Sequence, residues 1–268
     1  QCYYKNGKRE GESKMWHENG QLWEQSYYKE ENLEGEYKEW HENGQLKIQM
    51  TYMHGIKHGE FKRWFPNGIL CIQTTYSNNR KRGEYNQWFK NGLLHIQSMY
   101  KFEKLYGEYK EWWDNGQLKT QKTYKLGKMD GELKNWYENG NLYQQVIYVD
   151  GKLNGEYNEW WDNGQLKTQK SYKEDKLEGE YKMYYNNGQL WLQTTYINNK
   201  KHGKHKEWYL SGNLNIETIY IDDKINGEYK KYSDKVNKSI NCEETQIHKE
   251  NIHSQSENES IIPECIIN

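Results

Sequence analysis

The chain has 268 residues, of which 34% are hydrophobic and 29% charged, and its mean hydropathy is -1.32; those values exclude one or two well-filled globular domains and by themselves fit a solvated polymer. Against that stand 25 Tyr and 12 Trp, side chains that each bury a large ring while a polar tip stays wet, so many thin, half-exposed layers fit better than one globule. A formal net charge of -1 excludes an overall basic field that would gather nucleic acid, and no nucleic-acid partner is expected.

From the first residues onward the chain repeats itself, and a repeat decides the fold before any single motif does. Glycine recurs with a spacing of 24 at Gly11, Gly35, Gly59 and on to Gly227, and again from Gly20 and Gly44 to Gly212. Leu22, Leu46 and their successors share one phase, Tyr4, Tyr28 and Tyr52 another, and Trp16, Trp40 and Trp64 a third. Within a unit, Glu36 to His41 reads as a strand, although Tyr37 and Trp40 differ in parity, which puts aromatics on both faces or a bulge between them. Asn43-Gly44 follows, a hairpin signal that supplies positive φ cheaply. After it Leu46, Ile48, Met50 and Tyr52 alternate with Lys47, Gln49 and Thr51, the period of a return strand. A second tight connection, with Gly127, Asn199 or Asp223 at its tip, leads into the next unit.

The expected fold is therefore all-β: an elongated, single-layer antiparallel β-meander of about ten tandem 24-residue hairpin repeats over residues 1–232. At Ser233 the pattern stops, and residues 233–268 hold no Gly, Trp, Tyr or Phe and seven acids against three bases, a tail expected to be disordered unless its isoleucines cap the array.

Chemistry recurs with the period as well. Glu12, Glu36 and Glu60 head an acidic column with Lys14, Lys38 and Lys62 two residues on, a solvated charged face rather than a catalytic carboxylate pair. Gln25, Gln49 and Gln73 suggest an amide ladder along the sheet. The pairs His54 with His58 and His202 with His205, and the distant Cys2, Cys71, Cys242 and Cys265, lack the spacing of a metal site or a disulfide framework, so free thiols and neither metal nor cofactor are expected. Each glycine is assigned to a turn, which leaves none to cradle a phosphate. The column after Trp is aromatic yet variable, with His17 and His41 followed by Phe65, Phe89, Trp113, Tyr137, Trp161, Tyr185 and Tyr209; it is either tolerant packing or a recognition surface, and these seven residues are the candidate interaction surface.

The Gly-Glu-Tyr-Lys-x-Trp and Asn-Gly-x-Leu elements resemble MORN-repeat proteins, and in particular the variant unit of YwqK-type antitoxin proteins and giant-virus paralogues. Departures are few: Lys204 stands for Glu, Ser211 for Asn, and Leu133 and His205 for the aromatic. The resemblance implies an elongated β-meander and a role in protein interaction, scaffolding or membrane association, with toxin neutralisation implied by the antitoxin variant. The expected function is a non-enzymatic scaffold that binds a protein partner through an extended β surface, with no small-molecule substrate. Anionic lipid is the alternative partner, through a basic column at the inter-hairpin turns that includes Lys8, Arg80, Lys104 and Lys128. No run approaches the ~18 apolar residues of a membrane span and no signal peptide is visible, so an intracellular location is expected.

Overall fold

The computed structural model describes residues 1–234. They form one open antiparallel sheet of 24 strands and no helix. Each strand pairs with its neighbours in sequence, so the chain is a meander of nine complete hairpins, preceded by the return strand Cys2–Lys5 and followed by the short outgoing strands Lys224–Ile225 and Lys230–Lys231. The expected disorder of the tail falls on residues 235–268, outside the described ones.

The fifth hairpin shows how each unit is built. Its outgoing strand Lys104–Trp112 pairs with the return strand Leu118–Lys125 from Gly107 opposite Tyr124 to Glu111 opposite Thr120. Trp112 then faces Leu118, and Lys119 is left over as a β-bulge. An extra residue reverses the alternation beyond it: Lys119 reaches Glu111 at 2.7 Å, on the face of Thr120. The strict alternation expected along the return strand therefore fails at its first two positions. In the second hairpin it is Lys47, not Leu46, that shares the face of Ile48, and Lys47 meets Glu39 at 3.1 Å. Tyr109 and Trp112 remain out of phase on one unbroken strand, so aromatics occupy both faces. We call these the tyrosine face and the tryptophan face.

A second irregularity lies on the other side of the outgoing strand. In the seventh hairpin Val146 faces Tyr157 and Tyr148 faces Leu153, which leaves Ile147 opposite a bulge centred on Gly155. Gly155 has φ +126, and a Cβ there would meet the Ile147 Cβ at 3.2 Å. The glycine column that begins at Gly11 thus belongs to strand bulges rather than to turns, a correction that follows from where the register slips.

The two connections differ in kind. At the Asn-Gly turn, Gly116 N–H donates to Trp113 O (3.0 Å) and Trp113 N–H to Gln117 O (2.8 Å), a three-residue loop in which Gly116 takes positive φ (86°) and Asn115 does not. The inter-hairpin turns have both central residues at positive φ, as at Leu126 (51°) and Gly127 (88°), the geometry whose twist matches two flanking strands.

One layer leaves little to bury. Met50 and Val146 are the buried hydrophobic residues of the described chain. They share a column with buried Ser26, Thr74, Ser98, Thr194 and Thr218.

Candidate interaction surface

On the tryptophan face the charged columns close into a repeating trio. Lys110 pairs with Glu108 at 2.8 Å, and Gln121 donates its amide to the same carboxylate. The pattern recurs as Gln49–Glu36–Lys38 and Gln73–Glu60–Lys62. The expected amide ladder is corrected: glutamine spends its N–H on the glutamate diagonally across its own hairpin, a charge-assisted bond stronger than amide to amide. The lysine hydrogen bond, helped by the glutamine, holds Glu36, Glu60, Glu108 and Glu180 below the usual carboxylate range. Hairpin nine keeps one ion pair by exchange. Lys204 replaces the glutamate, Glu217 replaces the glutamine, and Lys206 pairs with Glu217 at 3.0 Å.

The tyrosine face carries ring pairs at near-perpendicular angles. Tyr37 meets Tyr52 at 5.7 Å and Tyr109 meets Tyr124 at 6.3 Å, and His205 takes the same role against Tyr220 at 5.3 Å. His205 is 2% exposed and bonds Glu207 at 3.0 Å, so this departure from the aromatic consensus still packs as an aromatic. Burial and then contact with Tyr196 and Glu159 push the Tyr181 hydroxyl up to about 12. A cation rests on many of these rings from one of two columns. Lys57, Lys81 and Lys201 come from the outgoing strand, and Lys122 and Lys170 from the return strand. Where one column supplies the cation the other holds a Leu, Thr or Ser, so each ring pair takes a single ammonium group.

The candidate row runs along this face beside the Asn-Gly turns, and all seven residues from Phe65 to Tyr209 are half-buried. Five of them donate to a backbone carbonyl of the next hairpin: Trp113 to Trp136 O, Tyr137 to Trp160 O, Trp161 to Tyr184 O, Tyr185 to Trp208 O and Tyr209 to Tyr232 O, at 2.9 to 3.4 Å. His17 and His41 contact the equivalent carbonyls at 3.1 Å. Five of the rings also lean on the bulge residue six positions on: Phe89 stacks on His95 at 4.1 Å, Lys119 sits 4.7 Å above Trp113, and Tyr137, Trp161 and Tyr185 meet Tyr143, Lys167 and Trp191 in the same way. The polar tips thus fasten one hairpin to the next, and part of each ring stays open to solvent.

Sequence reasoning missed a second fastening, in the turn asparagines. Asn115 accepts from Gln117 N–H and donates to Glu138 O of the following turn at 3.1 Å, and Asn19, Asn67, Asn91 and Asn139 do likewise. The signal that would have found it is an asparagine kept in eight of nine units, with Ser211 the exception, beside a glycine that already supplies the positive φ. Among the described residues no group of three or more His, Cys, Asp and Glu could hold a metal ion. Cys2 and Cys71 are free thiols. No described helix is long and apolar enough to cross a membrane.

The sequence profile of the MORN repeat variant matches eight segments: residues 9–30, 33–54, 57–78, 105–126, 129–150, 153–174, 177–198 and 201–222. The chain belongs to that family. The MORN variant array is one hairpin longer than the profile match, because the unmatched residues 81–102 form the same unit from Arg80–Trp88 and Leu94–Lys101. No curated protein sequence matches the chain. The solved structure titled "Crystal Structure of TcdB2-TccC3-Cdc42" aligns with 78% of this chain at 12% identity and a TM-score of 0.18, and the chain spans 14% of that one's length; a score that low carries no conclusion.

Proposed function

We propose that this MORN variant array is a non-enzymatic scaffold that binds a protein partner along its tyrosine face. One observation carries the reading: on the tryptophan face the Glu, Lys, Gln and Trp columns repeat almost unchanged and the column from Tyr27 to Ile219 is the one that varies, while two adjoining columns of the tyrosine face change from hairpin to hairpin. The column of Glu111 reads Met15, Glu39, Arg63, Gln87, Glu111 and Asn135 in successive units, and the bulge column beside it reads Trp23, Lys47, Cys71, His95, Lys119 and Tyr143. Uniform positions hold the array together, and variable ones give each unit its own contact, as an extended surface requires. Phe65, Phe89, Trp113, Tyr137, Trp161, Tyr185 and Tyr209 border that variable strip and supply aromatic area to it. Neutralisation of a partner, the antitoxin-like role, is one form such binding takes.

The test is a series of whole-period deletions, each of which preserves every column's phase, against a partner recovered from the host and identified by mass spectrometry. Binding should weaken in steps wherever the period is removed. Loss of all binding from one deletion, with none from the others, would place the function in a local site and refute the distributed scaffold.

The second reading is peripheral contact with anionic lipid through the basic turn row. In that row Lys128 pairs with Asp150 at 3.0 Å and Lys152 with Glu174 at 2.6 Å, so two of its cations already have a carboxylate partner. Vesicle binding that persists at physiological salt would favour it over the scaffold.

A further inference from the structure

Charge is spread unevenly along the array. Between residues 57 and 104 there are nine Lys and Arg against three Glu, whereas the whole chain carries -1. Hairpins three and four, Ile56–Trp64 with Leu70–Ser77 and Arg80–Trp88 with Leu94–Lys101, therefore form a cationic stretch between residues 1–56, acidic with seven Lys and Arg against ten Asp and Glu, and residues 105–232, balanced with 19 of each. Hairpin four is also the unit that the family profile passes over.

The excess has a structural focus on the tyrosine face. In hairpins two, five, seven and nine that face holds Glu39, Glu111, Glu159 and Glu207, each bonded to a neighbouring ring hydroxyl or imidazole. In hairpins three and four the same column holds Arg63 and Gln87, which leaves Glu103 of the turn as the carboxylate beside Lys57 and Lys81. Lys57 lies 5.6 Å from the Tyr76 ring, and Lys81 lies 4.6 Å from Tyr85 and 5.2 Å from Tyr100. Between them runs a shallow groove lined by Lys57, Tyr76, Asn79, Lys81, Tyr100 and Glu103. Lys57, Arg63 and Lys81 form no ion pair among the described residues. Ring faces thus hold ammonium groups in place without neutralising them, a pre-arranged site for carboxylates.

We propose that hairpins three and four bind an acidic, extended segment of the protein partner across the tyrosine face, an inference that rests on the scaffold reading. The spacing suits it. Lys57 and Lys81 are one hairpin apart, about 9.6 Å at two strand spacings, and a peptide in the extended polyproline II helix advances about 9.3 Å in one three-residue turn, which returns every third side chain to the same side. A segment with an acid at every third position sets successive carboxylates over successive lysines, while Tyr76 and Tyr100 support the stem between them. The cationic stretch also raises the encounter rate of such a segment, an effect that weakens with salt.

The probe is a fluorescein-labelled dodecapeptide, Glu-Ser-Ser repeated four times, with Lys-Ser-Ser as its counterpart, followed by anisotropy against the full chain. The acidic peptide should bind and the basic one should not. Lys57→Gln, Arg63→Gln and Lys81→Gln together should weaken binding at least tenfold, with tryptophan fluorescence and circular dichroism unchanged. Lys29→Gln, Lys125→Gln and Lys173→Gln, an equal loss of charge from the turn edge, should change it less than twofold. No binding by the unaltered chain, equal weakening in both triple variants, or tighter binding of a single-stranded oligonucleotide or phosphatidylserine vesicles through the same lysines would overturn the proposal. Its fate is separable from that of the scaffold. If the peptide fails while whole-period deletions still weaken partner binding stepwise, only the acidic-segment inference falls; if deletion of residues 59–82 alone, which removes Arg63, Tyr76 and Lys81, abolishes partner binding, the distributed scaffold falls and the cradle stands.

Discussion

Tyr185→Phe isolates the bond that joins hairpin eight to hairpin nine. The Tyr185 hydroxyl donates to Trp208 O at 2.9 Å from a half-buried ring, and the substitution removes only that oxygen. A net hydrogen bond of this kind contributes about 1 kcal/mol, within a range of about 0.5 to 1.5. For a chain of this size that lowers the melting temperature by roughly 2–4 °C. Tyr137 and Tyr209 make the same bond to Trp160 O and Tyr232 O at 3.0 and 2.9 Å. The three sites are two hairpins or one hairpin apart and share no partner, so the triple Phe variant should lose about 3 kcal/mol, close to the sum. The array also contains the reverse experiment. Phe65 occupies the same column with no hydroxyl, and Phe65→Tyr should reach Trp88 O and stabilise by about 0.5–1 kcal/mol. Thermal and urea melts monitored by tryptophan fluorescence measure both. If Tyr185→Phe is neutral and Phe65→Tyr brings no gain, the column does not fasten the hairpins and the account given of it is wrong.

Small-angle scattering should return a radius of gyration well above the ~18 Å of a compact chain of this length and toward roughly 27 Å, since about twenty strand positions at 4.8 Å make a ribbon near 95 Å long; a compact value would refute the single-layer meander. Leu126 is 53% exposed and held at φ 51°, so Leu126→Asn should raise stability by about 1 kcal/mol in a urea melt by relieving left-handed strain. Gly155→Ala should lower it by more than about 2 kcal/mol, because the new Cβ meets Ile147 at 3.2 Å in a conformation L side chains rarely adopt. Alkaline titration should destabilise the array: burial raises Tyr181 from 10.0 to about 12, so the folded chain keeps a proton that the unfolded chain loses. That contribution is complete below pH 10 and disappears as pH rises through about 12, and a flat melting temperature across this window would refute it. At the acid end, lysine hydrogen bonds hold Glu36, Glu60 and Glu108 below 4.5, and stability present above that value should fall as they protonate.

The period, the hairpin unit and the all-β meander were legible in the sequence because each depends on residues a few positions apart: a turn glycine, an alternating strand, a Tyr and a Trp of opposite parity. Repetition then multiplied a weak local signal until it was unambiguous. The paired Glu and Lys columns were legible for the same reason, since two residues along a strand are always neighbours on one face. What lay out of reach were the register slips. One extra residue at Lys119 exchanges the faces of Leu118 and Lys119, and Gly155 reads as a turn residue until pairing with the neighbouring strand shows it at the centre of a bulge. Contacts between hairpins were equally hidden: the Tyr185, Trp113 and Asn115 bonds each join residues 23 positions apart. A column in the sequence records that a residue recurs, but only the pairing of one hairpin with the next decides which carbonyl its side chain meets. The cationic stretch belongs to both levels. Its residues could be counted along the chain, yet that Lys57, Arg63 and Lys81 share one face without an ion pair to a described carboxylate is a property of strand pairing, because alternation and register together assign every charge to a side.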